Sequence, residues 1–479
     1  MLGMALVSAG LASPLLAQLS GDQLAAHQRS AQQAEADGDF VTAIREYEVL
    51  AHALPNNGAV QSNLGVALYF HGDYARAAEG LRRAIAIDPS LYAPHLFLGL
   101  TMVRRSQPDQ AVAELKKAIA MNGADPLAHA WLGYAYTAQV RYEAAAAELE
   151  TAVQEDATNA DAAYALGKCY LALAKAAIAR LFDAAPDGGR TWQLAGEQFE
   201  AQGNAGKALT AYLGAIKRRP DIDGLRLKIA GLGGTAPESA GNAPGAGAGD
   251  AKEDAAYEQV RGYEQKARDA FERVSRIDAD SFRAHQIQAD ADLAADRTDD
   301  AIREYRIVLK KNPDVPEIHG ALCDALSRMG QIDEAIQECK AEIAASPLSS
   351  EPYVDLARVY LQTGDDQEAA RTIDKALKLD RPPVTAYRVQ GKVLLSQGQF
   401  QAAARALKRY LAVETKDSKA FYLLARACKG AGDTQGASEA MAAYKRTSDA
   451  YKNVSYAEQA LDGKRKDEDA PDETDKTVP

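Results

Sequence analysis

Ten alanines constrain this chain more than any other feature: Ala43, Ala77, Ala111 and Ala145, then Ala208, then Ala301, Ala335, Ala369, Ala403 and Ala437. Within the first group and within the last, each follows its predecessor by 34 residues. That period belongs to stacked helical hairpins rather than to one globular core. A small residue at such spacing marks where two helices come close, because a larger side chain would push them apart. Length agrees, since one core seldom serves 479 residues, whereas a stack grows by burying each unit's apolar face on the next.

The period can be read in full from 58 to 91. Leu64, Gly65 and Leu68 share one helical face, Ala77, Leu81 and Ala84 another, Gly72-Asp73 supplies the turn, and Pro89 closes the unit. Trp192, Gly196, Phe199, Ala208, Tyr212, Ala215 and Pro220 repeat the pattern, as do Tyr353, Leu356, Ala357, Tyr360, Ala369 and Ala376. This pattern resembles the tetratricopeptide repeat, and the resemblance covers most of the chain. It places full repeats at 24, 58, 92, 126 and 189, and again at 282, 316, 350, 384 and 418. The fold it implies is all-α: a right-handed α-solenoid of helix-turn-helix repeats, in two arrays joined by a flexible linker.

The departures shape the domain map. A unit opening at 160 keeps Leu166, Gly167 and Tyr170 but is short, because the next full repeat starts at 189. The Ala-rich run from Leu171 to Ala185 has no Gly or Pro, so one long helix or a tight kink is expected there. Residues 231–256 are rich in Gly, Ala and Pro, with almost nothing large and apolar to bury, which reads as a linker. Tyr257 to Ile277 reads as a leading helix with Ala267, Ala270, Phe271 and Val274 as its apolar stripe. The expected organisation is therefore a signal segment at 1–20, an N-terminal array at 21–230, a linker at 231–256, a C-terminal array at 257–461 and a charged tail at 462–479.

Function is sought on the surface the repeats create. The resemblance implies that the first helix of each repeat lines a concave face, with offsets 2, 5, 9 and 12 pointing into it. In the first array these offsets hold Tyr69, Leu96, Leu100, Val103, Leu127, Tyr134, Tyr164 and Leu171. Such an apolar groove suits an extended or helical peptide with hydrophobic anchors; the alternative is that contacts within the superhelix fill it. In the second array the early offsets hold Asp290, Glu317 and Asp324. The later repeats hold Arg358, Arg388, Lys392, Lys419, Arg426 and Lys429, a basic trough. That trough could attract a partner's acidic segment, or dock the chain's own DEDAPDETD at 467–475. Arg388 and Lys392 match the basic character of the family's carboxylate clamp, but the asparagines expected beside such residues are absent.

Other function classes lose ground. A formal charge of -12 argues against non-specific nucleic-acid binding, which needs a basic footprint. No nucleotide-binding, serine-hydrolase or zinc-protease motif occurs, and no segment outside the repeats is long enough for a catalytic domain. His27, His95, His129, His285 and His319 all fall at the fourth repeat position and read as packing residues, too dispersed for a metal site. Asp299-Asp300 and Asp365-Asp366 read as solvated turn residues. No cofactor and no metal are expected. Cys323, Cys339 and Cys428 read as small buried hydrophobes, although Cys323 and Cys339 lie on facing helices of one hairpin and could be bridged in an exported protein.

The apolar stretch from Met4 to Ala17 resembles a secretory h-region with Ala17 as its boundary and lacks a positive n-region. Export to the periplasm or another extracytoplasmic compartment is expected, with no membrane span in the mature chain; a buried capping helix in a cytoplasmic protein is the alternative. The reading is a non-enzymatic scaffold that binds peptide segments of partner proteins in its concave grooves. The alternative is an envelope assembly factor, or an accessory subunit of a polysaccharide-export, secretion or enzyme complex.

Overall fold

A computed structural model of the chain describes residues 19–237 and 248–453, apart from 314, 316, 380 and 381, and the described residues form helices without strands. They fall into two compact units that divide at Asp156. The first holds α1 (Gly21–Ala36), α2 (Phe40–Ala53), α3 (Gly58–His71), α4 (Tyr74–Ile87), α5 (Tyr92–Arg104), α6 (Pro108–Met121), α7 (Pro126–Ala138) and α8 (Tyr142–Glu155). The second opens with α9 (Ala160–Ala184), α10 (Gly189–Ala201), α11 (Ala205–Arg218), α12 (Leu225–Gly231) and α13 (Ala248–Ile277). It continues with α14 (Phe282–Ala294), α15 (Thr298–Lys311), α16 (Ile318–Arg328), α17 (Ile332–Ala345), α18 (Glu351–Thr363) and α19 (Asp366–Lys378), and ends with α20 (Thr385–Ser396), α21 (Phe400–Leu411), α22 (Ser418–Gly430) and α23 (Thr434–Asn453).

Local chemistry explains why each period becomes a hairpin. In the unit at 58, Asn57 accepts the Val60 N–H at 3.1 Å and so starts α3, while Asp73 accepts the Arg76 N–H at 3.1 Å and starts α4. Such caps contribute about 1 kcal/mol each. Between them Gly72 takes φ +90°, the left-handed turn that only glycine adopts without a steric cost. The same position has positive φ in every full repeat. Gly fills it at 38, 203, 330, 364, 398 and 432, whereas Ser106, Val140 and Asp296 fill it in the other three. Asp299 and Asp300 lie in the first turn of α15, and Asp365 caps α19 by accepting the Glu368 N–H at 3.1 Å. These acids therefore start second helices rather than fill turns, as suits the positive end of a helix.

In five hairpins a glycine on the first helix faces a large residue on the second. A Cβ on Gly65 would stand 2.6 Å from Leu81 Cγ, and Gly99 with Leu115, Gly133 with Leu149, Gly391 with Leu407 and Gly196 with Tyr212 repeat the arrangement. The periodic alanines from Ala43 to Ala403 are fully buried, which is why that period dominates the sequence.

The unit opening at 160 departs from this plan in an informative way. Its first helix has no turn and runs on as α9 for 25 residues. Gly167 meets Phe271, the residue on α13 that occupies the place Leu81 holds against Gly65. Ala267 and Val274 of α13 are buried and stand 34 residues before Ala301 and Val308. The repeat is therefore split: α9 is its first helix, the C-terminal half of α13 its second, and α10, α11 and α12 are inserted between them. The N-terminal half of α13 packs with Ala177 and Leu181 of α9 and Leu194 of α10 through Tyr257 and Val260. Arg219, after α11, pairs with Asp221 (2.7 Å), Asp254 (3.1 Å) and Glu253 (3.4 Å), and Arg190 pairs with Asp254 (2.6 Å), which fastens the insertion to α13.

This arrangement corrects the expected domain map. The compact units divide at Asp156 rather than within 231–256, because α9 buries its apolar face on α13. Helix α13 begins at Ala248, inside the segment expected to be a linker and before the expected leading helix. The signal segment at 1–18 and the charged tail at 462–479 lie outside the described residues. Among the described residues only α9 is long and apolar enough to cross a membrane, and 56% of that window is buried inside the protein, as in a core helix.

Candidate interaction surface

In the first unit, α3 lies against α5 and α5 against α7, so first helices form a continuous face. The contact between neighbouring helices swallows several residues expected to line a groove. Leu96 and Leu100 are 4% and 3% exposed, and Tyr69 is buried among Phe70, Tyr74 and Phe97. Burial raises the Tyr69 phenol, opposed by the Arg104 guanidinium beside it. Val103 and Tyr134 are half-buried, and Leu127 is exposed.

What the face presents instead is an aromatic strip at neighbouring offsets. Phe70 is 54% exposed, with its ring stacked on Phe40 at 5.3 Å and edge-on to Phe97 at 5.7 Å. Further along, Trp131 packs edge-on to Tyr134 at 5.5 Å, and the Arg104 guanidinium lies 5.3 Å over the Trp131 ring. Phe70, Phe97 and Trp131 occupy offsets 13, 6 and 6, outside the four the resemblance singles out. The adjacency of Tyr69 to Phe70, and of Trp131 to Tyr134 at one helical turn, is the signal that could have found them.

In the second unit, Tyr164 proves to be part of a seam rather than a groove. It is 9% exposed, and its hydroxyl donates to Asp290 Oδ2 at 3.0 Å; Lys168 donates to the same oxygen at 3.2 Å, and Tyr305 to Oδ1 at 2.6 Å. Burial and Asp290 push the Tyr164 phenol far up. Arg283 covers the Tyr164 ring at 4.8 Å and pairs with Asp161 at 2.6 Å. These contacts tie α9 to α14 across the insertion. Leu171 remains exposed.

The basic trough is smaller than its residue types suggest. Arg358 is paired with Asp355 at 2.6 Å and lies 3.8 Å from Asp324, which itself pairs with Arg328 at 2.7 Å. Arg388 is paired with Asp417 at 3.1 Å. Lys392 and Lys419 are half-buried, and Arg426 and Lys429 are exposed. Before them on the same succession of first helices, burial raises Glu351, helped by Asp355 and Glu317. Burial likewise raises Asp355; Arg358 opposes the shift and Asp324 adds to it. Glu351 stands at offset 2 of its repeat, whereas Asp355, at offset 6, lies outside the four offsets.

Cys323 and Cys339 are joined by a disulfide between α16 and α17, with Cα atoms 5.2 Å apart. They stand where Gly65 and Leu81 stand in the repeat at 58. Cys169 and Cys428 are buried thiols, and burial followed by Asp433 raises Cys428.

One tetratricopeptide repeat model matches residues 29–91, 98–160 and 388–452, and a second matches 292–341 and 329–390, together more than half of the chain. No curated protein matches. Among solved structures, MamA (41-end) from Desulfovibrio magneticus RS-1 is 23% identical, over 32% of this chain and 86% of that one, with a TM-score of 0.31. The Cut9–Hcn1 hetero-tetramer of the APC/C is 14% identical, over 93% and 96%, with a TM-score of 0.36. PilF of Pseudomonas aeruginosa is 19% identical, over 42% and 89%, with a TM-score of 0.35. These likenesses concern the fold alone. On the repeats matched along its length, the chain belongs to the tetratricopeptide repeat family.

Proposed function

We propose that this protein-interaction scaffold is non-enzymatic and holds peptide segments of partner proteins on the first-helix face of its first unit, with Phe70, Phe97, Trp131, Tyr134, Val103 and Leu127 as the contact residues. The exposed Phe70 ring, set in a cluster of aromatics, carries this reading. Half-exposed aromatic clusters seldom persist without a use, and buried aromatics supply much of the affinity at interfaces. Peptides selected by display on the full-length chain should carry aliphatic or aromatic anchors. Phe70→Glu should weaken them at least about tenfold, or roughly 1.4 kcal/mol. Equal binding by a folded Phe70→Glu variant would remove the strip as the site.

Lys392, Lys419, Arg426 and Lys429 form a second candidate surface, suited to an acidic segment of a partner or to the chain's own acids at 467–475. Deleting 463–479 should strengthen binding of acidic peptides if the tail competes for that surface. The Cys323–Cys339 bridge supports an exported location, because disulfides persist in oxidising compartments. It favours the envelope form of the scaffold reading; cell fractionation that finds the chain wholly cytoplasmic, with reduced thiols, would overturn it.

A further inference from the structure

The fourth-position histidines turn out to bond as well as pack. His27, His95, His129, His285 and His319 each place Nδ1 2.6 or 2.7 Å from a carboxylate of the second helix, on Glu46, Glu114, Glu148, Glu304 and Glu338. The spacing is 19 residues each time, so one bond of one kind crosses five hairpins. Beyond Nδ1 the copies differ. Nε2 of His95 and of His129 meets a main-chain carbonyl, of Pro89 at 3.2 Å and of Gly123 at 3.1 Å. Nε2 of His285 meets a second carboxylate, Asp280 Oδ1, at 3.0 Å.

His285 stands where the split repeat rejoins the regular stack. Asp280 lies in the connection between α13, which completes the split repeat, and α14, which bears His285; Glu304 comes from α15. Lys311, at the end of α15, donates to Asp280 Oδ2 at 2.7 Å. The charged groups facing the ring are thus Glu304 and Asp280, with Lys311 behind the latter. An imidazole donates from both nitrogens only as the cation, and two carboxylates are acceptors alone. We propose that His285 is a proton-dependent clip: charged, it holds the α13–α14 connection against the α14–α15 hairpin, and on losing its proton it releases Asp280.

The sign follows from linkage. Burial disfavours the charge on His285, but Glu304 and Asp280 outweigh it and its pKa lies above the ordinary value. The contribution is fully present below the ordinary histidine range and is lost as pH rises through the raised value. Asp280 is held low by Lys311 and by His285, so it stays ionised throughout that interval.

The test is ¹⁵N-histidine NMR with amide hydrogen exchange on the full-length chain across pH 6 to 9. His285 should keep its two-proton signature above the ordinary histidine range. Protection at 278–285 should then fall through the His285 titration, beyond any change around His319, whose ring bonds Glu338 alone among the described residues. Asp280→Asn keeps an acceptor but removes the charge, and should lower the His285 titration toward the ordinary histidine range. Lys311→Gln should move it the other way, and serves if the first variant folds poorly. Loss of the His285 two-proton signature within the ordinary histidine range, or unchanged protection through its titration, would overturn the proposal.

Discussion

Val140 illustrates how a single residue can work against its own hairpin. It sits at the turn with φ +61°, where six other full repeats beside that of Gly72 use glycine, and its side chain is 68% exposed. A β-branched residue there suffers about 1–2 kcal/mol of crowding, and so exposed a side chain recovers little by packing. Glycine relieves the crowding but loses more chain entropy on folding. Val140→Gly should therefore stabilise the chain by roughly 0.5–1 kcal/mol, read as a higher urea midpoint at unchanged slope; a lower midpoint would mean that the valine is anchored by contacts. Glu351 makes the opposite case through charge. Its pKa is raised by burial, with Asp355 and Glu317 adding to it, so its ionised form opposes folding and stability falls as pH climbs from the ordinary carboxylate range through the raised value. Glu351→Gln should raise the melting temperature at pH 7 and lose that advantage near pH 4. Neither effect shows in residue type alone. The turn position was legible as Gly72-Asp73, but valine in it reads as ordinary sequence, and the acids that raise Glu351 come from its own repeat and from the one before it.

At the scale of the element, the pairing inside each hairpin was the most legible feature. Gly65, Leu81 and Ala84 could be placed on facing helices because a close approach demands a small residue and rewards a large one opposite. The same logic left Cys323 and Cys339 open between buried hydrophobes and a bridge, since both readings put them on facing helices. The structure shows the covalent version of the glycine–leucine contact, closing a loop of sequence separation 16. A loop of that size contributes about 3 kcal/mol by restricting the unfolded chain. Reduction of the native protein should lower the unfolding midpoint of the α16–α17 region, followed by hydrogen exchange. Cys323→Gly with Cys339→Leu should recover part of that loss, whereas the double serine variant should not. The groove was less legible, because offset alone cannot say which leucines neighbouring first helices bury. Leu96 and Leu100 vanish into that contact while Phe70, one offset beyond, stays in water.

On the scale of the whole chain, the long-range join between α9 and α13 is what the sequence concealed. Ala267 stands in register 34 residues before Ala301, and the unit at 160 lacks a second helix. A repeat is recognised by halves that follow each other, and here α10–α12 intervene. The apolar faces still match: Phe271 fills the space beside Gly167, while Tyr164, Lys168 and Tyr305 converge on Asp290 across the join. Because that contact is noncovalent and extensive, continuity of the backbone through 238–247 is not needed to keep it. A protease site engineered within 238–247 and cleaved in the native protein should leave the two fragments co-eluting on size exclusion, with helicity unchanged. Phe271→Ala, which opens a cavity against Gly167 costing roughly 3 kcal/mol, should let the cleaved fragments separate at lower urea than the cleaved parent. If the cleaved parent itself falls apart under native conditions, α9 and α13 are not the two helices of one repeat, and two arrays on a tether would be the better description.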